Sequence, residues 1–550
     1  MTIDLGYAWA GLPSGEVLAF VDVPGHQRFI GNMLAGLGPA PAVLVVVAAD
    51  EGWRRQSGEH LAAVDALGLT AGVLAVTRAD LADPGPATAE ALVHLADSSL
   101  GAIPAVAVSG TTGAGLPQLR AALDSLVAGL PAPDLAAPVR LWVDRAFTVK
   151  GAGTVVTGTL AAGVLRTGDT VELAGRSVRV RGLQSLGRPV DRVDAVARVA
   201  VNLRGVERDD VGRGEALLTP GAWRVTDGLD VRLSRRQDRL PGELVLHVGS
   251  TAVPARVRGL GGDVVRLLLA RPLPLRAGDR ALLRDPAEQR VAAGVLVLDA
   301  DPPALRRRRG AAAGRAAELI GATGTPDLAA EVQRREAVAA ADLAALGIAV
   351  TPAPGVLVVG PWLVSENAWQ RWTSALTEAV DAHAAAAPLE AGLPASAATH
   401  AVGLPSPSLL GPLVVAAGLE HAAGRVRRMG AVPRLGAAEP GLRQVEERLR
   451  GDPFAAPEAP DLVALGLGPR ELAAAQTAGR VVRLGGEVVL LPDGPARAMR
   501  VLAALGGPFT LSEARQALGT TRRVAVPLLE HLDGLGWTRR LDASRREVVR

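Results

Sequence analysis

The chain has 550 residues, 49% of them hydrophobic, with a formal net charge of +3 and no cysteine. That length suggests about three to five domains at roughly 150 residues each. Disulfides and thiolate metal sites are excluded, no run of about 18 apolar residues signals a membrane span, and a cytoplasmic protein is expected.

The opening, MTIDLGYAWAGLPSGE, has no basic segment leading into an apolar one, so no signal peptide is expected. From residue 17 to 131 strands and helices alternate. VLAFVDV (17–23) reads as a strand. In HQRFIGNMLAGLG, residues Phe29, Ile30, Met33, Leu34 and Leu37 mark one helical face. AVLVVVAA (42–49) is apolar on both faces, as a buried parallel strand requires. The pattern continues with the helix GEHLAAVDALG, the strand GVLAVT (72–77), the helix ATAEALVHLAD, the strand IPAVAVS and the helix LPQLRAALDSLVAGL. An open parallel α/β sheet is predicted over 1–131. After the Pro-rich linker PAPDLAAP (131–138) the period changes to two, with Gly and Gly-Asp turns, which predicts β-barrels over 138–220 and 221–302. Beyond residue 303, Ala/Leu/Arg-rich helices alternate with small hairpins such as GVLVVGPWLVS (355–365) and RVVRLGGEVVLLPD (480–493). Their spacing predicts four winged helices, at 303–375, 376–438, 439–498 and 499–550.

Lys150 is the single lysine, so nearly all positive charge is arginine. Codon bias alone accounts for arginine richness, and arginines count here only where position supports them. The eight histidines are scattered, without clustering at metal-ligand spacing.

DVPGH (22–26) follows a strand and opens a helix. A nucleotide switch needs an Asp that holds Mg²⁺ through water, a Gly whose N–H meets the γ-phosphate, and a polar group that positions the attacking water. Asp22, Gly25 and His26 suit those roles, although a plain strand–helix turn also explains the pentapeptide by itself. TRAD (77–80) ends a later strand and supplies Asp80 for the guanine N–H groups. VSGTTGAGL (108–116) follows the next strand and offers a backbone N–H to the guanine carbonyl. Each loop alone is a weak signal; their order and spacing together are a strong one.

With MTIDLGYAW, FVDVPGHQRFIGNMLAG, VVAADEG, VDRAFTVKGAGTVVTGT, GDRALLRD and VPLLEHLDGLGWTRR, the whole chain resembles the bacterial selenocysteine-specific elongation factors, a branch of the translational GTPases. The resemblance implies a GTPase fold followed by two β-barrels and tandem winged helices. It implies GTP and Mg²⁺ as cofactors, with Thr2 and Asp22 at the metal and His26 aligning the hydrolytic water. Thr77, Arg78 and Asp80 would match the guanine motif, Arg78 replacing the usual lysine and weakening recognition, and Ser109 the second guanine loop. An aminoacyl pocket would map to Asp144, Arg145 and Arg198, with His247 and Arg284 as neighbours, the alternative being that VDRAF is a barrel salt bridge. Arg522 and Arg523 on the last helix, and Arg539, Arg540, Arg545 and Arg546 on its wing, would grip an mRNA recoding hairpin. The implied partners are selenocysteinyl-tRNA, that hairpin and the ribosome, for a monomer without membrane attachment.

No G-x-x-x-x-G-K-[ST] occurs in these residues, and Lys150 falls in a predicted barrel strand. The resemblance places the phosphate loop upstream of Met1, and a start codon assigned too late is the expected reason. At roughly 1.5–3 kcal/mol for each lost charged hydrogen bond, the sequence as given is expected to bind GTP weakly. A GTP-independent RNA-binding fragment, or another translational GTPase, stays as the alternative.

Overall fold

The structure, a computed structural model, describes residues 5–24, 30–38, 40–151, 153–235, 240–305 and 310–549. It divides into two compact units, Met1–Glu331 with Val338–Ala353, and Val332–Ala337 with Pro354–Arg550.

The first unit opens with an antiparallel hairpin, β1 (Gly6–Gly11) and β2 (Val17–Asp22), whose register pairs Tyr7 with Val21 and Trp9 with Ala19. Helix α1 (Ile30–Leu37) follows, then β3 (Val43–Ala48), α2 (Arg55–Leu67), β4 (Gly72–Thr77), α3 (Pro84–Ala96), β5 (Ala105–Ala107) and α4 (Leu116–Gly129). The parallel sheet has the order β3-β4-β5. Two expectations change here. VLAFVDV belongs to the hairpin, not to the parallel sheet, because GYAWAG is itself a strand and pairs with it antiparallel. AVLVVVAA is covered on both faces only in part: Val47 is buried on one side and Leu44 packs on the other, but Val46 is 56% exposed.

Two layers of helices bury the rest. On one side Met33, Leu34 and Leu37 of α1 pack with Val64, Leu67, Leu74 and Leu95, each buried aliphatic contributing about 1.5–3 kcal/mol. On the other, Leu119, Leu123 and Leu126 of α4 gather Leu12, Leu18 and Phe20 of the hairpin with Leu44 and Val73 of the sheet. Gly36 lets α1 sit this close to the hairpin: a Cβ there would come within 2.8–2.9 Å of Val23, Leu5 and Val21 side chains.

An eight-stranded antiparallel sheet follows, its main path running 140–142, 216–218, 170–173, 176–185, 197–204, 153–160 and 145–149 around a core of Leu141, Val156, Leu160, Val199 and Val201. A closed six-stranded barrel comes next, formed by 225–233, 264–274, 251–261, 243–248, 280–285 and 290–299. Burial alternates along Thr251–Gly261, as the period of two requires. This barrel meets α2 backbone to backbone: a Cβ on Gly294 would lie 2.4 Å from the Ala66 carbonyl oxygen. Helix α5 (Ala311–Leu319) is clipped to the same barrel by buried charge. Asp230, with no exposure, accepts from Arg266 at 2.6 Å and Arg315 at 2.7 Å, and Arg315 also meets Asp299 at 2.5 Å.

The second unit repeats one plan of helices closed by a hairpin. The hairpin Val356–Val359/Trp362–Ser365 leads into the helix Glu366–Ala386, and the helices Ala395–Val402 and Leu410–Ala416 precede the hairpin Leu419–Ala422/Arg425–Arg428. Helices Glu439–Gly451, Ala459–Ala464 and Pro469–Thr477 precede the short pair Val482–Arg483/Val489–Leu490. Last come Gly494–Ala503, Leu511–Ala517 and Arg522–Gly534, with a wing of Thr538–Arg540 and Arg545–Val548. Val524, Leu528, Leu529 and Leu532 of the final helix are fully buried at helical spacing.

Candidate functional site

Loops after β4 and β5 emerge at the carboxyl ends of neighbouring parallel strands, where open α/β sheets bind ligands. They touch: the Ala79 N–H donates to the Val108 carbonyl at 3.2 Å. Thr77 ends β4 with its hydroxyl on the Val47 carbonyl at 3.4 Å. Asp80 is exposed in the first loop. In the second, Ser109 is fully buried and its Oγ accepts from the Thr112 N–H at 3.1 Å, which shapes the turn. Arg78 has φ 56° and reaches back over the sheet to Asp50 at 3.0 Å and Glu51 at 2.9 Å. Those hydrogen bonds, to Asp50 first, raise its pKa. Asp22 ends β2 opposite Gly6. Thr2, Gly25 and His26, expected at the metal, the γ-phosphate and the attacking water, lie outside the described residues.

A second cluster forms where β1 meets the eight-stranded sheet. Asp144, buried, accepts a two-pronged contact from Arg198 at 2.5 and 3.0 Å and a hydrogen bond from the Thr157 hydroxyl at 2.6 Å. Antiparallel pairing explains the meeting, since Arg198 lies opposite Thr159 and Arg145 opposite Thr157 on the shared neighbour strand. Sequence reasoning missed Tyr7. Its ring centroid is 3.5 Å from the Arg198 guanidinium and 5.2 Å from that of Arg145, and Arg145 donates to the Leu5 carbonyl at 2.6 Å. The sequence did carry a signal in the alternation Leu5, Tyr7, Trp9. His247 lies elsewhere, beside a small cavity lined by Leu34, Gly38, Leu67 and Leu282. Burial first, then Arg284 and Arg213, lowers its pKa to about 4. Arg213 in turn donates to the Gly31 carbonyl at 2.6 Å, joining the domain of the eight-stranded sheet to the start of α1.

In the second unit the arginines expected to face RNA divide. Arg522, Arg540 and Arg545 are exposed and form no ion pair with another described residue. Arg523 donates to the Ala456 carbonyl at 2.5 Å, and Arg539 pairs with Glu547 at 3.1 Å. Arg546 is buried against Asp533 at 2.8 Å.

A parallel sheet with two touching strand-end loops, followed by an eight-stranded antiparallel sheet and a closed six-stranded barrel, is matched piece by piece by models of translational GTPase domains. The elongation factor Tu GTP-binding domain model matches residues 2–129 and the elongation factor Tu domain 2 model residues 153–218. The models for the selenocysteine-specific elongation factor β-barrel domain and the elongation factor SelB winged helix match 239–304 and 500–546. Selenocysteine-specific elongation factors of Desulfomicrobium baculatum and Escherichia coli (strain K12) are 37% and 35% identical over 318 residues each, covering 54% and 56% of this chain. They are covered to 50% and 51%, so the chain spans about half the length of the curated relatives it matches. A crystal structure of bacterial selenocysteine-specific elongation factor EF-Sec superposes with a TM-score of 0.77 at 24% identity, covering 100% of this chain and 93% of that one, which establishes a shared fold. In these domains and their order the chain is similar to the SelB-type selenocysteine-specific elongation factors.

Proposed function

We propose that this protein delivers selenocysteinyl-tRNA to the ribosome at UGA codons, as a cytoplasmic monomer using GTP and Mg²⁺ and guided by an mRNA hairpin held at the last winged helix. The cluster around Tyr7 carries this reading. A selenol is more acidic than a thiol, whose pKa is about 8.5, so selenocysteine is an anion at neutral pH while serine stays neutral. Two guanidinium groups converge on one ring at 3.5 and 5.2 Å, with Asp144 fixing one of them. Such a site favours the anion. Asp144 orients, Arg198 and Arg145 supply charge, and Tyr7 forms the wall.

The residues of the nucleotide site suit the nucleotide. Asp80 is an exposed carboxylate between two loops already hydrogen-bonded together, placed to accept the guanine N–H groups, with Thr77, Arg78 and Ser109 around it. No group of three or more metal-binding side chains occurs among the described residues. Mg²⁺ takes one or two protein ligands and relies on water and phosphate for the rest. Asp22 and Thr2 would be those ligands, the bound ion would neutralise phosphate charge, and Gly25 and His26 would face the γ-phosphate. Among the described residues no helix is long and apolar enough to cross a membrane. Domain bounds of 1–131, 138–220 and 221–302, with winged helices at 303–375, 376–438, 439–498 and 499–550, complete the proposal.

Competition binding of selenocysteinyl- and seryl-tRNA to the protein with GTP and Mg²⁺ tests it. At pH 7 the selenocysteinyl form should win, with the advantage shrinking as pH falls and the selenolate is protonated. Equal affinities across that range would refute the assignment.

A further inference from the structure

A third strand-end loop, the one after β3, joins the two at the carboxyl edge of the parallel sheet. It lies against the loop after β4, because the Ala49 N–H donates to the Thr77 carbonyl at 2.8 Å. It carries two exposed carboxylates, Asp50 and Glu51. Both take the same nitrogen of Arg78: Nη1 donates to Oδ2 of Asp50 at 3.0 Å and to Oε1 of Glu51 at 2.9 Å. The backbone aims Arg78 at them. Its φ of 56° is left-handed, a conformation that a residue other than glycine keeps only where its surroundings hold it. The acidic loop is braced from behind. The Trp53 N–H donates to Oε2 of Glu90 at 3.0 Å, and the Trp53 ring stacks on His94 of α3 with centroids 4.7 Å apart. Gly52 permits that approach, since a Cβ there would lie 2.9 Å from the Glu90 carboxylate.

Exposed ion pairs add little to stability. What this one supplies is order. A free arginine has many rotamers, and a ligand lying on it must bear the loss of that freedom. Two carboxylates on a braced loop remove that freedom beforehand. Arg78 is stretched between its backbone, two residues before Asp80, and the acidic pair. Its guanidinium is planar and stacks on rings, which an ammonium cannot do. We propose that Asp50 and Glu51 are positioning residues of the nucleotide site: they hold Arg78 as a fixed flat cover for one face of a purine base whose edge Asp80 binds. This rests on the reading of the loops after β4 and β5 as guanine loops.

The test uses full-length protein and equilibrium binding of GTP and XTP. Asp80→Asn replaces one acceptor oxygen by a donor that suits the xanthine 2-carbonyl. Preference should therefore move from GTP toward XTP whether or not Arg78 is pinned. If it does not move, the guanine reading falls and this proposal with it. Asp50→Asn combined with Glu51→Gln should weaken GTP binding about two- to fivefold, the range of an exposed ion pair. The preference for GTP over XTP and the urea midpoint of unfolding should stay as in wild type, which separates positioning from a structural role. The loss should shrink as salt is raised. Arg78→Ala should weaken GTP at least as much, and adding the Asp50 and Glu51 changes to it should cost nothing further. Arg78→Lys, which keeps a stem and a charge, should recover part of the loss. Losses that add in the triple variant would show the carboxylates acting without Arg78. Unchanged GTP binding in the Asp50–Glu51 variant would show a surface ion pair and nothing more. Either result, with a working Asp80→Asn switch, overturns the proposal and leaves the guanine reading in place.

Discussion

In the proposed reading Arg198 both holds the edge of the eight-stranded sheet together and faces the ligand, and two substitutions separate those roles. Asp144 has 5% of its side chain exposed and Arg198 18%. Arg198→Met alone strands a buried carboxylate, at a cost of about 3–5 kcal/mol in stability. Adding Asp144→Asn removes that charge and keeps a partner for the Thr157 hydroxyl, so the double variant should fall within about 1.5 kcal/mol of wild type. Recognition behaves differently. A hydrogen bond to a charged partner contributes about 1.5–3 kcal/mol and a neutral one about 0.5–1.5. The selenocysteinyl form should therefore lose about 1–1.5 kcal/mol more than the seryl form, shrinking the preference about five- to thirteenfold. Urea unfolding reads stability, and protection of the aminoacyl ester from hydrolysis reads the two affinities. A stable double variant that keeps the wild-type preference would show that Arg198 is barrel structure and nothing more.

Two further outcomes follow from the same geometry. His247 has its pKa lowered from 6.5 to about 4, so the folded state resists a proton that the unfolded state accepts. Stability is unaffected above pH 6.5 and falls as pH drops toward 4, by about 3 kcal/mol in all. His247→Gln should lack that share of the acid loss in unfolding titrations, and an unchanged pH profile would contradict the burial argument. In the second unit, Arg522→Ala, Arg540→Ala and Arg545→Ala should each reduce the salt slope of binding to the recoding stem-loop by about 0.7–0.9, while Arg523→Ala should lower stability instead. Uniform slopes across all four variants would remove the distinction between RNA-facing and structural arginines.

The sequence made some of this readable and hid the rest for physical reasons. Thr77, Asp80 and Ser109 come together because a parallel sheet delivers every strand-end loop to the same edge, so order along the chain was enough. Asp144 and Arg198 are 54 positions apart and meet through antiparallel register, which local periodicity does not encode; the family resemblance supplied the pair. Tyr7 and Trp9 escaped because GYAWAG lacks the β-branched density of a typical strand and was not read as one. Val46 shows the limit of composition: an apolar run indicates a strand, but coverage depends on what lies beside it. Arg266 and Arg315 were unreadable as well, since a buried guanidinium differs from a surface one only by a distant carboxylate, here Asp230.

That last point governs how the charge of this chain acts. A guanidinium offers five donors in a planar fork, so it can satisfy several backbone carbonyls at once and stack on a ring while doing so. Arg232 uses the fork on the Leu319 and Ile320 carbonyls at the end of α5, both at 2.8 Å. Arg140 binds Asp279 and the Pro274 carbonyl while lying 4.6 Å from the Trp223 centroid, and Arg276 stacks on the same indole at 3.6 Å. Arg480 is held between Glu439 and Glu446 at 2.6 and 2.8 Å. Arginines of this kind have spent their donors within the fold, and an RNA phosphate would have to displace them. Net charge and arginine count therefore overstate the surface available to nucleic acid. Under the proposed function, attraction is left to exposed side chains such as Arg522, Arg540 and Arg545.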